Sequence, residues 1–293
     1  MTNSLEQMRH KIAGAEQLES VVRTMKAQAA SSITQYENAV LALGDYTRTV
    51  ELGLIACFHQ NKPLISKTPD PQNITAIVFG SDQGLVGKFN DQLAGMVKTA
   101  LHEESGTKTL WSVGARIGGH LNDAGLSTEK TFDVPASIAA ITPLIGQILN
   151  ECVRNAAEDD HTKTLIFYNR LQVGSIYEPT NQQLLPLDTA WQSGLRQSLW
   201  TGNALPEILE DKDTPLLSAL MREHLFISLY RACAQSLASE NASRLAAMQR
   251  AEKNIETLLG DLKQTTRTLR QNAIDEELFD VIASYDGASR SYR

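Results

Sequence analysis

At 293 residues with a hydrophobic fraction of 42%, the chain can hold one large domain or two small ones around a real core. Its formal net charge of -7 argues against a nucleic-acid binder, whose affinity would come from Lys and Arg on phosphates. Cys57, Cys152 and Cys233 lie far apart and form no metal or disulfide pattern, no stretch approaches the ~18 apolar residues of a membrane span, and the opening Met1-Thr-Asn-Ser-Leu-Glu6 has neither a signal-peptide nor a transit-peptide profile, so a cytoplasmic protein is expected.

Ser4 with Gln7 three residues on resembles a capping box, and a helix is predicted from about Leu5 to Phe58, ending before Pro63. It carries a seven-residue column, Met8, Ala15, Val22, Ala29, Tyr36 and Leu43, whose register slips near Glu19. Gly14, Gly44 and Gly53 each cost up to ~1 kcal/mol relative to alanine, so this helix needs a partner. Residues 62–73 carry three prolines and read as a linker.

The texture then changes. Ile74 to Phe79 is an apolar run of the kind found in a buried parallel strand, and residues 80–87 form a glycine-punctuated turn. Residues 88–103 look helical, 109–113 form a second strand, a short helix follows near 115–123, and 137–157 is a helix kinked or restarted at Pro143. Residues 165–168 are a third strand, 171–177 and 182–187 are candidate edge strands, and 190–213 read as irregular. Alternating strands and helices imply a small open α/β sheet.

Thr214-Pro215 reads as an N-cap and first helical position, opening a helix that runs to about Ser284. Its seven-residue column is Leu220, Ile227, Ala234, Asn241, Met248, Ile255, Leu262 and Leu269, with only Asn241 polar. A helix of about 70 residues is roughly 105 Å long, more than a globular domain covers, and the N-terminal helix is the available partner. The expected fold is therefore α/β plus a long coiled coil. N- and C-terminal helices pair antiparallel, with an inserted open α/β (Rossmann-like) domain. The segments are 1–61 for the first helix, 62–73 for the linker, 74–213 for the α/β domain and 214–293 for the last helix.

Candidate chemistry is sparse. The turn GSDQGLVGKFN at 80–90 lacks both G-x-x-x-x-G-K-[ST] and G-x-G-x-x-G, so it reads as a strand-to-helix turn in which Asp82 caps backbone N–H groups. The six histidines do not cluster, none has H-E-x-x-H spacing, and no serine or cysteine sits in a G-x-S-x-G elbow. No catalytic, cofactor-binding or metal residue is assigned. Charge on the last helix says more. Arg244, Arg250, Lys253, Lys263, Arg267 and Arg270 outnumber the acids between 241 and 273, and the end turns acidic at Asp275, Glu276, Glu277, Asp280 and Asp286. A solvated face usually mixes signs, so Arg244, Arg250, Arg267 and Arg270 are candidates for facing acidic partner surfaces.

Three stretches stand in order along the chain. Residues 4–33 carry Ser4-Leu5, Arg9, Ile12, Met25 and Ala29-Ala30-Ser31. The middle turn is Ser81-Asp82-Gln83-Gly84-Leu85-Val86-Gly87-Lys88-Phe89-Asn90. Near the end stand Ser239-Glu240, Arg244, Ala247-Met248, Ala251, Asn254, Arg270-Gln271, Ile274 and Glu277. In this order and at this length the chain resembles the gamma subunit of F-type rotary ATP synthases, through that family's opening helix, S-D-x-G-L-x-G-x-x-N turn and closing signature. It departs from the family at Val21-Val22, where Ile-Thr is usual, at Ser32 in place of a common lysine, at Asp275 in place of threonine, and at Ser284-Tyr285 in place of Gly-Ala. These mark a divergent member.

The resemblance implies a central rotor stalk without catalytic residues or cofactor of its own. In that family the paired helices turn inside a ring of alpha and beta subunits, and the α/β domain stands beside epsilon and on the membrane c-ring. Rotation couples ion passage to ATP synthesis or hydrolysis. The resemblance adds Met25, Gln271 and Glu277 to the partner-interface candidates and implies one copy per complex, peripheral on the cytoplasmic face of a prokaryotic plasma membrane. Two other classes compete with this reading. A small α/β enzyme needs a nucleotide or acid–base constellation near 80–90, and a coiled-coil scaffold leaves the inserted domain without a purpose.

Overall fold

The computed structural model describes residues 2–60, 73–158, 162–172, 175–198, 200, 204 and 216–291. The linker up to Gln72 and the Thr214-Pro215 helix start fall outside these residues. The elements in order are α1 (Thr2–Gln60), β1 (Asn73–Phe79), α2 (Phe89–His102), β2 (Thr107–Val113), α3 (Ala115–Asp123), β3 (Lys130–Phe132), α4 (Ile138–Glu158), β4 (Thr162–Gln172), β5 (Ser175–Leu185), α5 (Thr189–Gln197) and α6 (Leu216–Ser291). Contacts divide the chain into two compact units, Met1–Gln28 with Leu245–Arg293, and Ala29–Arg244.

The larger unit is built on a five-stranded sheet of order β3-β2-β1-β4-β5, parallel except for the antiparallel edge strand β5. The chain moves outward from β1 through β2 to β3, then returns over the sheet to β4. Right-handed crossovers in opposite directions place their helices on opposite faces. Ile74, Ala76 and Val78 accordingly pack with Leu93, Val97, Ile117 and Leu121 of α2 and α3. Ile77 and Phe79, one residue out of phase, pack on the other face with Ile141, Ile145 and Ile148 of α4 and with Leu225, Leu229, Cys233 and Leu237 of α6. β1 is buried from Ile74 on because both faces are covered, which is why it reads as a nearly continuous apolar run with only Thr75 polar.

Residues of α1 and α6 inside this unit also pack on each other. Tyr36 joins the α6 side of the sheet core, and Val50, Leu54, Ile55 and Phe58 meet Leu195 and Ile227. Gly53 sits in this seam. A Cβ there would stand 3.0 Å from both methyls of Leu220, so the glycine permits the close approach.

The smaller unit pairs the start of α1 with the end of α6. Lys263 bridges Glu16 at 3.3 Å, whereas Arg23 and Lys26 both reach Glu252, at 3.3 and 2.5 Å. Partners move up one helix as they move down the other, so the pair is antiparallel. Among the described residues, Ala15, Met248 and Leu259 are its buried apolar side chains.

Several elements differ from the sequence expectation. β3 is a three-residue strand too short to show a period. β4 is longer than 165–168, the candidate edge strand 171–177 spans the end of β4 and the start of β5, and 182–187 falls mostly within β5, where Pro179 is tolerated because β5 lies at the sheet edge. The stretch read as irregular contains α5. α4 does not start afresh at Pro143 but runs as one helix through it, which leaves the Ala139 carbonyl without its usual amide donor.

Candidate functional site

The carboxyl ends of β1 and β4 are where the sheet order reverses, the position at which doubly wound folds bind ligands in a crevice. Here the turn after β1 is closed upon itself. The Ser81 amide donates to Asn90 Oδ1 at 3.2 Å, Asn90 Nδ2 donates to Ser81 Oγ at 2.8 Å, and Ser81 Oγ donates to the Gln83 carbonyl at 2.9 Å. Ser81 and Asn90 are both buried. The Ser81 carbonyl accepts from the amides of Arg116 and Ile117 at the start of α3. Asp82 accepts from two further amides, Ala115 at 2.8 Å and Val134 at 3.1 Å. Within the turn the Ser81 amide is spent on Asn90 and the Phe89 amide on Val86, and the expected capping role of Asp82 is found. Gly114, at φ +115°, lies against this turn, where a Cβ would fall 2.6 Å from the Ser81 carbonyl oxygen.

Across the crevice lies α6. Ser236 donates to the Phe79 carbonyl at 2.8 Å, Ser239 to the Asn169 carbonyl at 3.1 Å, and Ser243 to the Val86 carbonyl at 2.5 Å. All three serines are buried. Glu240 and Arg244 stand beside this line, one helical turn apart and bonded at 2.5 Å, with side chains only 7% and 15% exposed. Arg244 also reaches Asn241 Oδ1, at 3.3 Å. Burial pushes the Glu240 carboxyl above the ordinary carboxylate range, an effect that Arg244 opposes and Asp82 reinforces. The polar position of the column, Asn241, donates to the Leu237 carbonyl of its own helix at 2.8 Å.

The middle turn and the Ser239–Arg244 part of the closing signature therefore meet in one buried polar seam. Ser236, Ser243 and Asn169 complete it and were not singled out from the sequence. Their only signal is a run of hydroxyls at i, i+3 and i+7 on an otherwise apolar helix face.

The remaining interface candidates lie in the smaller unit. Met25 is half-buried on α1, and Arg250, Arg267, Arg270, Gln271 and Glu277 are exposed on α6. Arg250, Arg267 and Arg270 form no salt bridge among the described residues. Past the last ion pair, Ile274, Leu278, Phe279 and Ile282 are also exposed, Phe279 at 69%. Among the described residues no three His, Cys, Asp or Glu side chains gather as a metal site, and no helix is long and apolar enough to cross a membrane. The thiols are buried, and burial pushes Cys152 up to about 12 and Cys233 higher still.

The ATP synthase family profile matches residues 4–287. The ATP synthase gamma chain of Bdellovibrio bacteriovorus is 22% identical over 292 residues, covering 96% of this chain and 97% of that one. The ATP synthase gamma chain of Glaesserella parasuis is 26% identical over 288 residues, covering 95% and 97%. Among solved structures, a chain of the Euglena gracilis mitochondrial ATP synthase OSCP/F1/c-ring shares the fold with a TM-score of 0.63 at 16% identity, covering 100% of this chain and 97% of that one. A chain of the rotor of the same enzyme gives 0.61 at 17%, covering 94% and 100%. With the family profile spanning nearly the whole sequence, and the turn and helix signatures meeting in one buried seam, the chain belongs to the ATP synthase family, among its gamma chains.

Proposed function

We propose that this chain is the central rotor stalk of an F-type ATP synthase. It turns within a ring of alpha and beta subunits, contacts epsilon and the membrane c-ring, and is present once per complex. The observation that carries this reading is the end-to-end correspondence with gamma chains, over 95% or more of both sequences. On this reading 1–61 and 214–293 form the shaft, 74–213 the foot and 62–73 the connection between them. The complex would hold the chain at the cytoplasmic face of a prokaryotic plasma membrane.

The interface candidates divide by their surroundings. Arg250, Arg267 and Arg270 are exposed and are proposed to meet acidic ring surfaces in turn, with Met25, Gln271 and Glu277 as further contacts. Arg244 is held by Glu240, and on this reading it serves the shaft by fixing the helix rather than by reaching outward. The exposed apolar side chains Ile274, Leu278, Phe279 and Ile282, set among the acids of this end, would be the bearing surface. The test is purification through a tag on this chain, followed by ATP-driven ion uptake into vesicles. Alpha, beta, epsilon and c subunits should co-elute, and uptake should require the chain. Elution without them, or full uptake in its absence, overturns the reading.

A further inference from the structure

Among the described residues, six threonines of the long helices bond back into their own helix. Thr24, Thr49, Thr257, Thr265, Thr266 and Thr268 each donate to the carbonyl four residues earlier. That is the default for a helical hydroxyl, and it binds the helix to nothing else. Ser236, Ser239 and Ser243 depart from it together. Each donates outward, to a carbonyl on a different segment of the sheet domain: the end of β1, β4, and the turn between β1 and α2. Their spacing places them on one stripe of α6.

Apolar packing is non-directional, so a helix held only by Leu225, Leu229 and Leu237 could turn or slide over its neighbours at modest cost. Hydrogen bonds to buried carbonyls are directional and weaken steeply with misalignment. One residue of slip along the helix is about 1.5 Å and carries about 100° of rotation, enough to break all three at once. The crevice at the sheet's reversal point, which in related architectures takes a ligand, is here filled by this helix stripe.

We infer that Ser236, Ser239 and Ser243 are positioning residues that key α6 to the sheet domain against rotation about its own axis, so that torque passes between them without slip. The inference rests on the rotor reading. Its test is the assembled complex in vesicles, carrying either the natural chain or the triple variant Ser236→Ala, Ser239→Ala, Ser243→Ala, with ATPase rate and ion uptake measured together. Uptake is followed for both protons and sodium. The triple variant should keep ATPase within about twofold of the natural complex, while ions moved per ATP fall several-fold. A role confined to folding would lower the amount of complex and leave that ratio unchanged. If the triple variant does not assemble, the single variants are read instead, and each should lower the ratio in part. An unchanged ratio in assembled triple or single variants overturns the key and leaves the rotor reading standing. Failure of the natural chain to support uptake overturns the rotor reading and the key with it.

Discussion

Glu240 is a carboxylate held where water barely reaches, and its one strong partner is the guanidinium one turn along the same helix. Breaking such a pair from one side strands the other charge. Glu240→Ala is expected to cost about 3 kcal/mol in urea unfolding followed by tryptophan fluorescence, whereas replacing both members with leucine and methionine should cost much less. The raised Glu240 carboxyl also sets a pH dependence. A carboxyl that binds its proton more tightly when folded adds stability below the ordinary carboxylate range, about 4.3, and loses that contribution as pH rises through its raised value. The natural chain should therefore lose stability relative to Glu240→Gln on going from pH 4 to neutrality. A constant difference would show that the carboxyl is not perturbed. From sequence, Arg244 was indistinguishable from Arg250, Arg267 and Arg270, because composition along a helix gives sign and spacing but not which residues the sheet covers. Only the structure separates the one inward guanidinium from the three outward ones.

At the scale of elements, the turn after β1 illustrates how local chemistry fixes a junction. Asp82 caps the start of α3 and ties down Val134 with its second oxygen, so Asp82→Ala should cost about 1–2 kcal/mol. Asp82→Asn, which keeps one acceptor, should cost less. Gly114→Ala meets both a left-handed backbone and the Ser81 carbonyl, and is expected to cost about 2 kcal/mol or more. Thermal unfolding of the three variants checks the order. What could be read of the elements followed the strength of their period. The long helices show theirs over many residues, and Ala15, Ala29, Tyr36, Ile227, Ala234 and Met248 of the predicted columns are buried, whereas Leu54, Phe58, Leu229 and Leu237, also buried, lie off them. β3 offers three residues and α5 nine with Gly194 inside, too few for a pattern to outweigh composition. The serine stripe was hidden for a different reason. A helical hydroxyl that bonds outward and one that bonds back to its own helix look the same in sequence.

For the whole molecule, function resides in surfaces turned toward other chains. If Arg250, Arg267 and Arg270 bias where the shaft pauses, each Arg→Ala variant should leave assembly nearly intact, since a single exposed ion pair is worth only about 0–1 kcal/mol. Turnover or coupling should change at low salt, with the difference shrinking as salt screens the pairs. Unchanged rates at both salt levels would reduce these charges to a solvated face, and lost assembly would make them structural. The isolated chain should show no specific ATP binding by calorimetry, because the 80–90 turn has neither glycine pattern of a phosphate cradle. A micromolar site would contradict that.

The burial of the three thiols makes the natural chain a ready vehicle for optical work. Cys152 and Cys233, whose protons burial holds tightly, offer almost no thiolate at neutral pH, the form that maleimides and Ellman's reagent attack, and Cys57 is buried away from such reagents. The folded protein should therefore remain nearly unlabelled until denatured. A single cysteine introduced at an exposed α6 position such as Arg267 would then carry a fluorophore or bead at one known place, with the native residues Cys57, Cys152 and Cys233 left as they are.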